Sequence, residues 1–350
     1  MRRRGTAGAL LLALLAVLLV GSAPAQSPTY PGPTWAHAAA SPPGWSTEKL
    51  QAARAYAATI PTAAVMIVVG GVVIDEWGDT ATRYNVHSIR KSFLSALYGI
   101  HVREGRIQLD KTLGELGIDD HQPLTAIEKR ATVRDLLEAR SGVYHPALYE
   151  TQGMALARPA RGSYAPGRYW YYNNWDFNAL GTIFEQATKT SIFEDFRARI
   201  AGPLGMEDYR VEDGTYVRGP ASQHAAYPFR MTARDMARFG LLYLRGGTWG
   251  DRVVVPREWV EESTRSYSEV GQLGGYGYLW WVAPNGGPHF TSAYVNGRVF
   301  SARGLGGHFI VVVPYLDLVV VHRVNTDIEG RFVTDAQFGH LLQLILDAHR

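Results

Sequence analysis

The chain has 350 residues, 46% of them hydrophobic, and it carries 35 Lys and Arg against 32 Asp and Glu, with no cysteine. This composition is too hydrophobic for a disordered chain. The absence of cysteine excludes a disulfide framework, a cysteine nucleophile, a zinc–thiolate site and a lipoprotein anchor.

The first 25 residues have the pattern of a secretory signal. Arg2, Arg3 and Arg4 precede an apolar run of 12 residues, Ala9 to Val20, which is followed by Ala23-Pro24-Ala25. We therefore expect a signal peptide over 1–25 and an exported protein, periplasmic or secreted, without a stable membrane span after cleavage. An uncleaved anchor is the alternative, although a spanning helix needs about 20 residues. Removing the signal leaves 32 charges of each sign, so charge does not indicate nucleic-acid binding.

The next elements are predicted from turn residues and periodicity. Five prolines between residues 26 and 45 indicate an extended leader. The main domain, over 46–350, begins with a helix capped by Ser46 or Thr47. Strands are expected at both ends of this domain, starting with a hairpin at Gly70-Gly71. The predicted strands are Val65 to Val69, Val72 to Ile74, Gly277 to Val282, Ala293 to Phe300, Phe309 to Val313 and Leu316 to Val321.

Helices are expected between these two groups of strands. Residues 88–210 are mostly helical in pattern, Thr132-x-x-Asp135 and Thr232-x-x-Asp235 have the form of capping boxes, and residues 333–349 form an amphipathic helix. This order predicts an α/β (α+β) fold. One sheet is assembled from both ends of the domain, helices pack on it, and a mostly helical lobe, about residues 105–240, is inserted.

Ser88-Ile89-Arg90-Lys91 is the first candidate for chemistry, because the sequence contains no G-x-S-x-G, H-E-x-x-H or P-loop motif. A serine and a lysine three residues apart on a first helical turn share one face. The helix N-terminus and Arg90 would lower the lysine pKa, and a neutral lysine can take the serine proton. The Ser88 backbone N–H would then face an oxyanion. The alternative is a capping serine and a solvated lysine, but lysine is scarce here and Lys91 adjoins an apolar stripe.

Tyr-x-Asn is a second candidate, and it occurs at Tyr171, Tyr172 and Tyr294. A tyrosine and an asparagine two residues later can bring a proton-shuttling phenol and an orienting amide to one cleft wall, provided that nearby cations lower the phenol pKa. An aromatic core cluster is the alternative. Five aromatic residues either form an apolar substrate pocket or belong to the core: Trp170, Tyr171, Trp175, Trp280 and Trp281.

The glycine-rich segment Ala302 to His308 is the third candidate. Its glycines allow a strand to approach a ligand closely, and one of its backbone N–H groups can complete an oxyanion hole. An ordinary bend before a strand is the alternative. His87, His145 and His308 are expected to be structural rather than catalytic.

These three groups, in this order, resemble the serine β-lactamase and penicillin-binding-protein superfamily, in particular its class C and esterase-like branch. The resemblance covers roughly residues 47–348 and implies a β-lactamase/transpeptidase-like fold with a mainly antiparallel sheet, and no metal or organic cofactor. Within the branch, Ser88 to Ser95 and Ala302 to Gly307 look most like the aminohexanoate-dimer hydrolases. Other similar stretches are Thr132 to Val143, Pro166-Gly167, Tyr172 to Gly181 and Pro203 to Met206.

The resemblance also implies roles for single residues. Ser88 matches the acylated nucleophile and Lys91 its lysine partner. Tyr172, rather than Tyr171, matches the family tyrosine, and Asn174 matches the family asparagine.

The third motif departs from the family pattern. Ala302-Arg303-Gly304 stands where the family has Lys-Thr-Gly or His-x-Gly, so the group that engages a β-lactam carboxylate is missing from its position. Arg303 is expected to point to the opposite face of its strand. Substrate and oxyanion contacts are implied at Gly304, Leu305 and Gly306, with the second oxyanion N–H from Leu305.

Together these observations predict an exported serine hydrolase that acts on a small-molecule ester or amide through an acyl-serine intermediate. Two alternatives remain open at this point. One is a β-lactamase or D-Ala-D-Ala-type peptidase, and the other is a non-catalytic binding protein on the same scaffold. The sequence leaves the acyl group and the oligomeric state open.

Overall fold

The computed structural model describes residues 29–39, 42–271 and 274–349. The predicted signal peptide and residues 26–28 of the leader lie outside these ranges. Within them, no helix is long and apolar enough to cross a membrane. The helices are α1 (Thr47–Ala57), α2 (Arg90–Arg103), α3 (Val133–Leu137), α4 (Gln152–Ala157), α5 (Asn174–Thr188), α6 (Ile192–Phe196), α7 (Gly202–Leu204), α8 (Ala233–Leu244), α9 (Arg257–Ser263) and α10 (Asp335–Asp347). The strands are β1 (Thr62–Val69), β2 (Val72–Gly78), β3 (Tyr84–Asn85), β4 (Val217–Gly219), β5 (Ser222–Ala226), β6 (Arg230–Met231), β7 (Thr248–Trp249), β8 (Arg252–Val253), β9 (Ser268–Glu269), β10 (Gly275–Tyr276), β11 (Trp281–Ala283), β12 (Gly287–Phe290), β13 (Ala293–Val295), β14 (Val299–Gly304), β15 (His308–Val313) and β16 (Leu318–Val324).

An eight-stranded antiparallel sheet organises the domain, with the strand order β2-β1-β16-β15-β14-β11-β10-β9. The first strands of the domain therefore pair directly with its last strand, as β1 does with β16 from Val69 opposite Leu318 to Thr62 opposite Val324. The hairpin between β1 and β2 turns at Gly70 and Gly71, which both have positive φ, as a two-residue turn requires. The predicted fold class, an antiparallel sheet from both chain ends flanked by helices, is confirmed.

Both faces of this sheet are covered. Val319 and Val321 of β16 pack into the core shared with α2, α5 and α8. Leu318 and Val320 pack into a second core, shared with α1 and α10. Successive side chains of a strand point to opposite faces of the sheet. Because both faces are buried here, the strands contain unbroken apolar runs. A strand with one exposed face would instead alternate apolar and polar residues.

Several predicted elements differ from the observed ones. Gly277 to Leu279 is a turn, not strand, and Leu279 takes a positive φ of 64°. The predicted strand from Ala293 to Phe300 is divided between β13 and β14, because β13 pairs with β12 in a separate hairpin. The leader over 29–39 is not detached from the domain. Trp35 is buried, and the carbonyl oxygens of Gly32 and Pro33 accept hydrogen bonds from Arg238 on α8.

The two predicted capping boxes have different outcomes. At Thr132 the box is confirmed, since each of Thr132 and Asp135 accepts the other's backbone N–H. Thr232 caps α8 by accepting the N–H of Asp235. The Asp235 carboxylate instead accepts the N–H groups of Glu207 and Asp208.

Helix α2 is buried from Arg90 to His101, on all its sides. The sequence predicts an apolar stripe on this helix, but the helical lobe encloses it completely, as is typical of a central helix. Lys91 on its first turn is therefore placed inside the protein, not at the surface.

Candidate active site

Ser88 lies in a single 3-10 turn, His87–Ile89, directly before α2. The segment before this turn is held in place by Arg323 of β16, which is completely buried. Its guanidinium donates hydrogen bonds to the carbonyl oxygens of Tyr84 (2.9 Å) and Asn85 (3.1 Å). β16, the last strand in the chain, thus helps to position the serine.

His87, the residue before the serine, has a φ of 48°, which is sterically unfavourable for a residue with a Cβ atom. Two contacts hold it there: its N–H donates to Asn85 Oδ1 (2.9 Å), and its ring Nε2 lies 2.8 Å from Thr326 Oγ1. Backbone strain of this kind persists only where surrounding contacts enforce it, and it clusters at functional sites. The sequence predicts a structural role for His87, but it does not predict that His87 belongs to the turn that contains Ser88.

The structure brings three of the predicted catalytic residues together. Lys91 Nζ donates to Ser88 Oγ at 2.8 Å and to Tyr172 Oη at 2.9 Å. Only 1% of the Lys91 surface is exposed, and its ammonium position lies 4.5 and 4.7 Å from the ring centroids of Tyr172 and Phe177. Tyr171, the rejected alternative, points elsewhere and donates to the Met154 carbonyl.

Burial lowers the pKa of Lys91 well below its usual 10.5, and the positive charge of Arg90 lowers it further. Arg90 is itself buried, and its Nε and Nη2 atoms have no partner among the described residues. Its guanidinium lies instead over the rings of Tyr149 and Tyr227. A lysine without its proton has a lone pair on Nζ, so Ser88 can donate its hydroxyl hydrogen to it.

Tyr172 behaves differently from the sequence-based expectation. Arg90 and Arg303 act to lower its pKa, but burial outweighs them, and the pKa is raised above the usual 10.0. The phenol is therefore protonated at neutral pH and suits a proton donor or relay rather than a base.

Asn174, the fourth predicted catalytic residue, is not hydrogen-bonded to Ser88, Lys91 or Tyr172 in the described structure, contrary to expectation. It is the first residue of α5, and its amide nitrogen donates to the carbonyl oxygen of Tyr149 at 2.5 Å. Its buried Oδ1 has no partner among the described residues, and no hydrogen bond to Lys91 is formed. The start of α5 turns this side chain toward the preceding loop, which the pattern Tyr-x-Asn does not reveal.

The glycine-rich segment meets the serine turn directly. A Cβ atom on Gly304 would lie 2.4 Å from the carbonyl oxygen of Val86, so only glycine allows this close approach. The backbone N–H groups of Ser88 and Leu305 take part in none of the hydrogen bonds of the described residues. Both are therefore free to bind an oxyanion.

A cavity of about 410 Å³ opens in front of Ser88. Gly304 and Leu305 line it, as the sequence predicts, whereas Gly306 lines a neighbouring cavity. Of the five aromatic residues proposed for the pocket, only Trp281 lines this one, and Trp175 and Trp280 are buried in the core. The remaining wall comes from Thr151, Met154, Tyr172, Val270, Arg303, Phe309 and Asp335.

Arg303 also lines this cavity, so the expectation that it points away from the site is wrong. It does share a face with Ser301, whose Oγ accepts from its Nε at 3.0 Å. However, β11 pairs with β14 only as far as Ser301. Beyond that point no strand of the described residues pairs with this side of β14. The long Arg303 side chain borders the cavity and also donates to the carbonyl oxygen of His289 at 2.5 Å.

Comparison with known proteins places this geometry in a family. The family model for beta-lactamase matches residues 48–344. The chain belongs to the beta-lactamase family. This confirms the resemblance seen in the sequence, and it supports a hydrolase of the β-lactamase and penicillin-binding-protein fold.

Solved structures of the beta-lactamase family and its relatives share the fold at low identity. One is described as a 6-aminohexanoate-dimer hydrolase from Bacillus anthracis (22% identity, 85% of this chain and 81% of that chain, TM-score 0.63). Another is the octameric penicillin-binding protein homologue from Pyrococcus abyssi (20%, 86% and 77%, TM-score 0.64). A third is a D-stereospecific amidohydrolase from Streptomyces sp. (20%, 86% and 97%, TM-score 0.58). At these identities the similarity establishes the fold alone.

Replacing Arg90 by methionine should move the pH dependence of this beta-lactamase-family site. Removing the Arg90 charge lets the pKa of Lys91 rise, so the rising limb of the pH–rate profile should shift to higher pH. The measurement is the rate of hydrolysis as a function of pH. Arg103→Met is the control, because Arg103 lies on the same helix but is exposed. Superimposable profiles for Arg90→Met and the wild type would contradict this role.

Proposed function

We propose that the protein is an exported serine hydrolase that cleaves an ester or amide bond through an acyl-serine intermediate. One observation carries the proposal: a buried lysine lies within hydrogen-bond distance of both Ser88 Oγ and Tyr172 Oη, in a setting that lowers its pKa. Export rests on the signal pattern over residues 1–25, and protein recovered outside the cytoplasm should begin at Gln26.

In the first step, Ser88 Oγ attacks the substrate carbonyl carbon while its proton passes to Lys91 Nζ. The negative charge that develops on the carbonyl oxygen is stabilised by the N–H groups of Ser88 and Leu305. The bond to the leaving oxygen or nitrogen then breaks. Tyr172 delivers a proton to the leaving atom and is reprotonated by Lys91, which leaves an acyl ester on Ser88.

In the second step, a water molecule takes the place of the leaving group, and the proton transfers of the first step occur in reverse order. The water loses a proton to the Tyr172–Lys91 pair as its oxygen attacks the acyl carbon, and the same two N–H groups hold the oxyanion. When the bond to Ser88 Oγ breaks, Lys91 returns a proton to the serine and the carboxylic acid product is released. Lys91 and Tyr172 end in their starting protonation states.

One structural neighbour is described as a 6-aminohexanoate-dimer hydrolase and another as a D-stereospecific amidohydrolase, which supports hydrolysis of an amide. A β-lactamase or D-Ala-D-Ala-type peptidase is the second candidate, and the position of Arg303 favours it. Burial lowers the pKa of Arg303 only to about 10, so its guanidinium is charged at neutral pH. Arg303 borders the cavity that holds Ser88, with Asp335 Oδ2 at 3.9 Å from its Nη1. It therefore supplies a cation near the place where the family motif has one.

Steady-state hydrolysis of a matched panel distinguishes these candidates. The panel contains nitrophenyl esters, nitroanilides and a chromogenic cephalosporin, each tested with the wild-type protein. Turnover of esters or anilides well above that of the cephalosporin supports the proposed function. A cephalosporin rate equal to the ester rates would favour the second candidate.

Tyr172→Phe should lower kcat by about 10²-fold or more, because it removes the hydroxyl that relays protons. The aromatic ring is retained, so the packing should not change. Tyr171→Phe is a matched control: it removes a hydroxyl from the neighbouring residue, one that donates to the Met154 carbonyl. The measurement is kcat on the best ester of the panel. Equal rates for the two variants would exclude Tyr172 from the mechanism.

A further inference from the structure

A second cavity, of about 530 Å³, adjoins the cavity that holds Ser88. Gly304, Leu305 and Asp335 line both cavities. The two spaces therefore meet at the segment that contains Leu305, whose N–H is proposed to bind the oxyanion. The second cavity is completed by His87, Gly306, Gly307, Thr326, Arg331, Phe332, Val333 and Thr334.

The second cavity has an apolar rim that the fold leaves uncovered. Leu305 is 62% exposed and Phe332 is 56% exposed, and both line this space, with Val333 buried behind them. Large apolar side chains that remain exposed side by side around a concavity are typical of a binding site for an apolar group.

The wall that carries Phe332 is held in place by backbone hydrogen bonds. The Val333 N–H donates to the carbonyl oxygen of Gly306 at 3.0 Å, which ties this wall to the glycine-rich segment. One residue later, Thr334 caps the N-terminus of α10 with a complete capping box. The cavity is thus preformed, so a ligand would not have to order it, which favours binding.

A carbonyl group held between the N–H groups of Ser88 and Leu305 has two substituents. One lies in the cavity that contains Tyr172, Trp281 and Arg303. Gly304, Leu305 and Asp335 border both spaces, so the second cavity is the adjacent space for the other substituent. We propose that the second cavity binds an alkyl or aryl group of the substrate, on one side of the bond that is cleaved. This inference rests on the proposed function and names its substrate class: esters or amides with an extended apolar substituent.

The test uses two series of esters with the wild-type protein and Phe332→Ala. In one series the acyl chain is lengthened, and in the other the alcohol. In one of the two series, kcat/KM should rise about three- to four-fold for each CH₂ that becomes buried. Phe332→Ala should reduce that rise by at least half and leave the shortest ester unchanged within about two-fold. Tyr315→Ala is the control, because Tyr315 is an exposed aromatic residue that lines neither of these cavities.

A binding measurement separates this inference from the proposed function. The shortest and the longest esters are titrated by calorimetry into Ser88→Ala protein, with and without Phe332→Ala, so that no turnover is needed. Weaker binding of long but not short esters in the double variant supports the apolar subsite even if the wild-type protein hydrolyses none of them. Chain-length dependence that is absent, or unaffected by Phe332→Ala, in both the rates and the binding would overturn it.

Discussion

Replacing Lys91 by methionine is expected to abolish hydrolysis and to stabilise the protein at the same time. Activity is lost because Ser88 Oγ and Tyr172 Oη then share no proton acceptor, and we expect kcat/KM to fall by at least about 10³-fold. Methionine has similar length and keeps the packing against Phe177. The measurement is steady-state hydrolysis of the best ester.

The gain in stability follows from the lowered pKa of Lys91. Between the folded-state pKa and the usual 10.5, the unfolded chain binds more protons at this residue than the folded protein does, so Lys91 destabilises the fold there. The penalty is present at neutral pH and disappears as the pH rises to about 10.5. Lys91→Met should therefore raise the free energy of unfolding by roughly 1 kcal/mol at pH 7, and by less at pH 10.

Urea unfolding at the two pH values measures this effect. Lys189→Met is the control, because Lys189 is exposed and outside the site, and it should change stability by less than about 0.5 kcal/mol at either pH. A stability difference between Lys91→Met and wild-type protein that is the same at pH 7 and pH 10 would show that the pKa of Lys91 is not lowered in the fold, and the proposed mechanism would lose its base.

Ser88→Ala is the second change with a large expected effect. It removes the nucleophile, and the rate should fall by at least about 10⁴-fold, with residual turnover supplied by the oxyanion donors alone. Ser92→Ala is a matched control on α2, the helix that directly follows Ser88. It removes another inward-facing hydroxyl, one that donates to the Leu279 carbonyl at 2.8 Å, and it should retain activity within a few-fold. Comparable losses in both variants would mean that the rate follows packing of α2 rather than the Ser88 hydroxyl.

The sequence predicted well those features that depend on local pattern. Turn glycines and apolar runs identified the hairpin at Gly70-Gly71 and the strands near the C-terminus. The three-residue spacing of Ser88 and Lys91 placed both on one helical turn, and the structure brings them to 2.8 Å. The position of Tyr172 came from the family resemblance, and the structure places its hydroxyl beside the same lysine.

The features that were missed depend on long-range packing. The orientation of Asn174 is set by its hydrogen bond to the carbonyl oxygen of Tyr149, in the loop beside α5. Arg303 can extend to the cavity because β11 pairs with β14 only as far as Ser301. The strained φ of His87 needs Thr326, which lies 239 residues later in the chain. The pKa of Tyr172 depends on how completely the lobe excludes water, and this outweighs the nearby cations. None of these has a local sequence signal.

The central claim is that Ser88 becomes acylated, and intact mass measured seconds after mixing tests it most directly. Wild-type and Ser88→Ala proteins are mixed with a panel of activated esters, amides and β-lactams, and adducts are located by peptide mapping. The account predicts a mass gain equal to the acyl group on the wild-type protein only, on the peptide that contains Ser88. An equal adduct on the Ser88→Ala protein, or no Ser88-dependent adduct with any member of the panel, would contradict it.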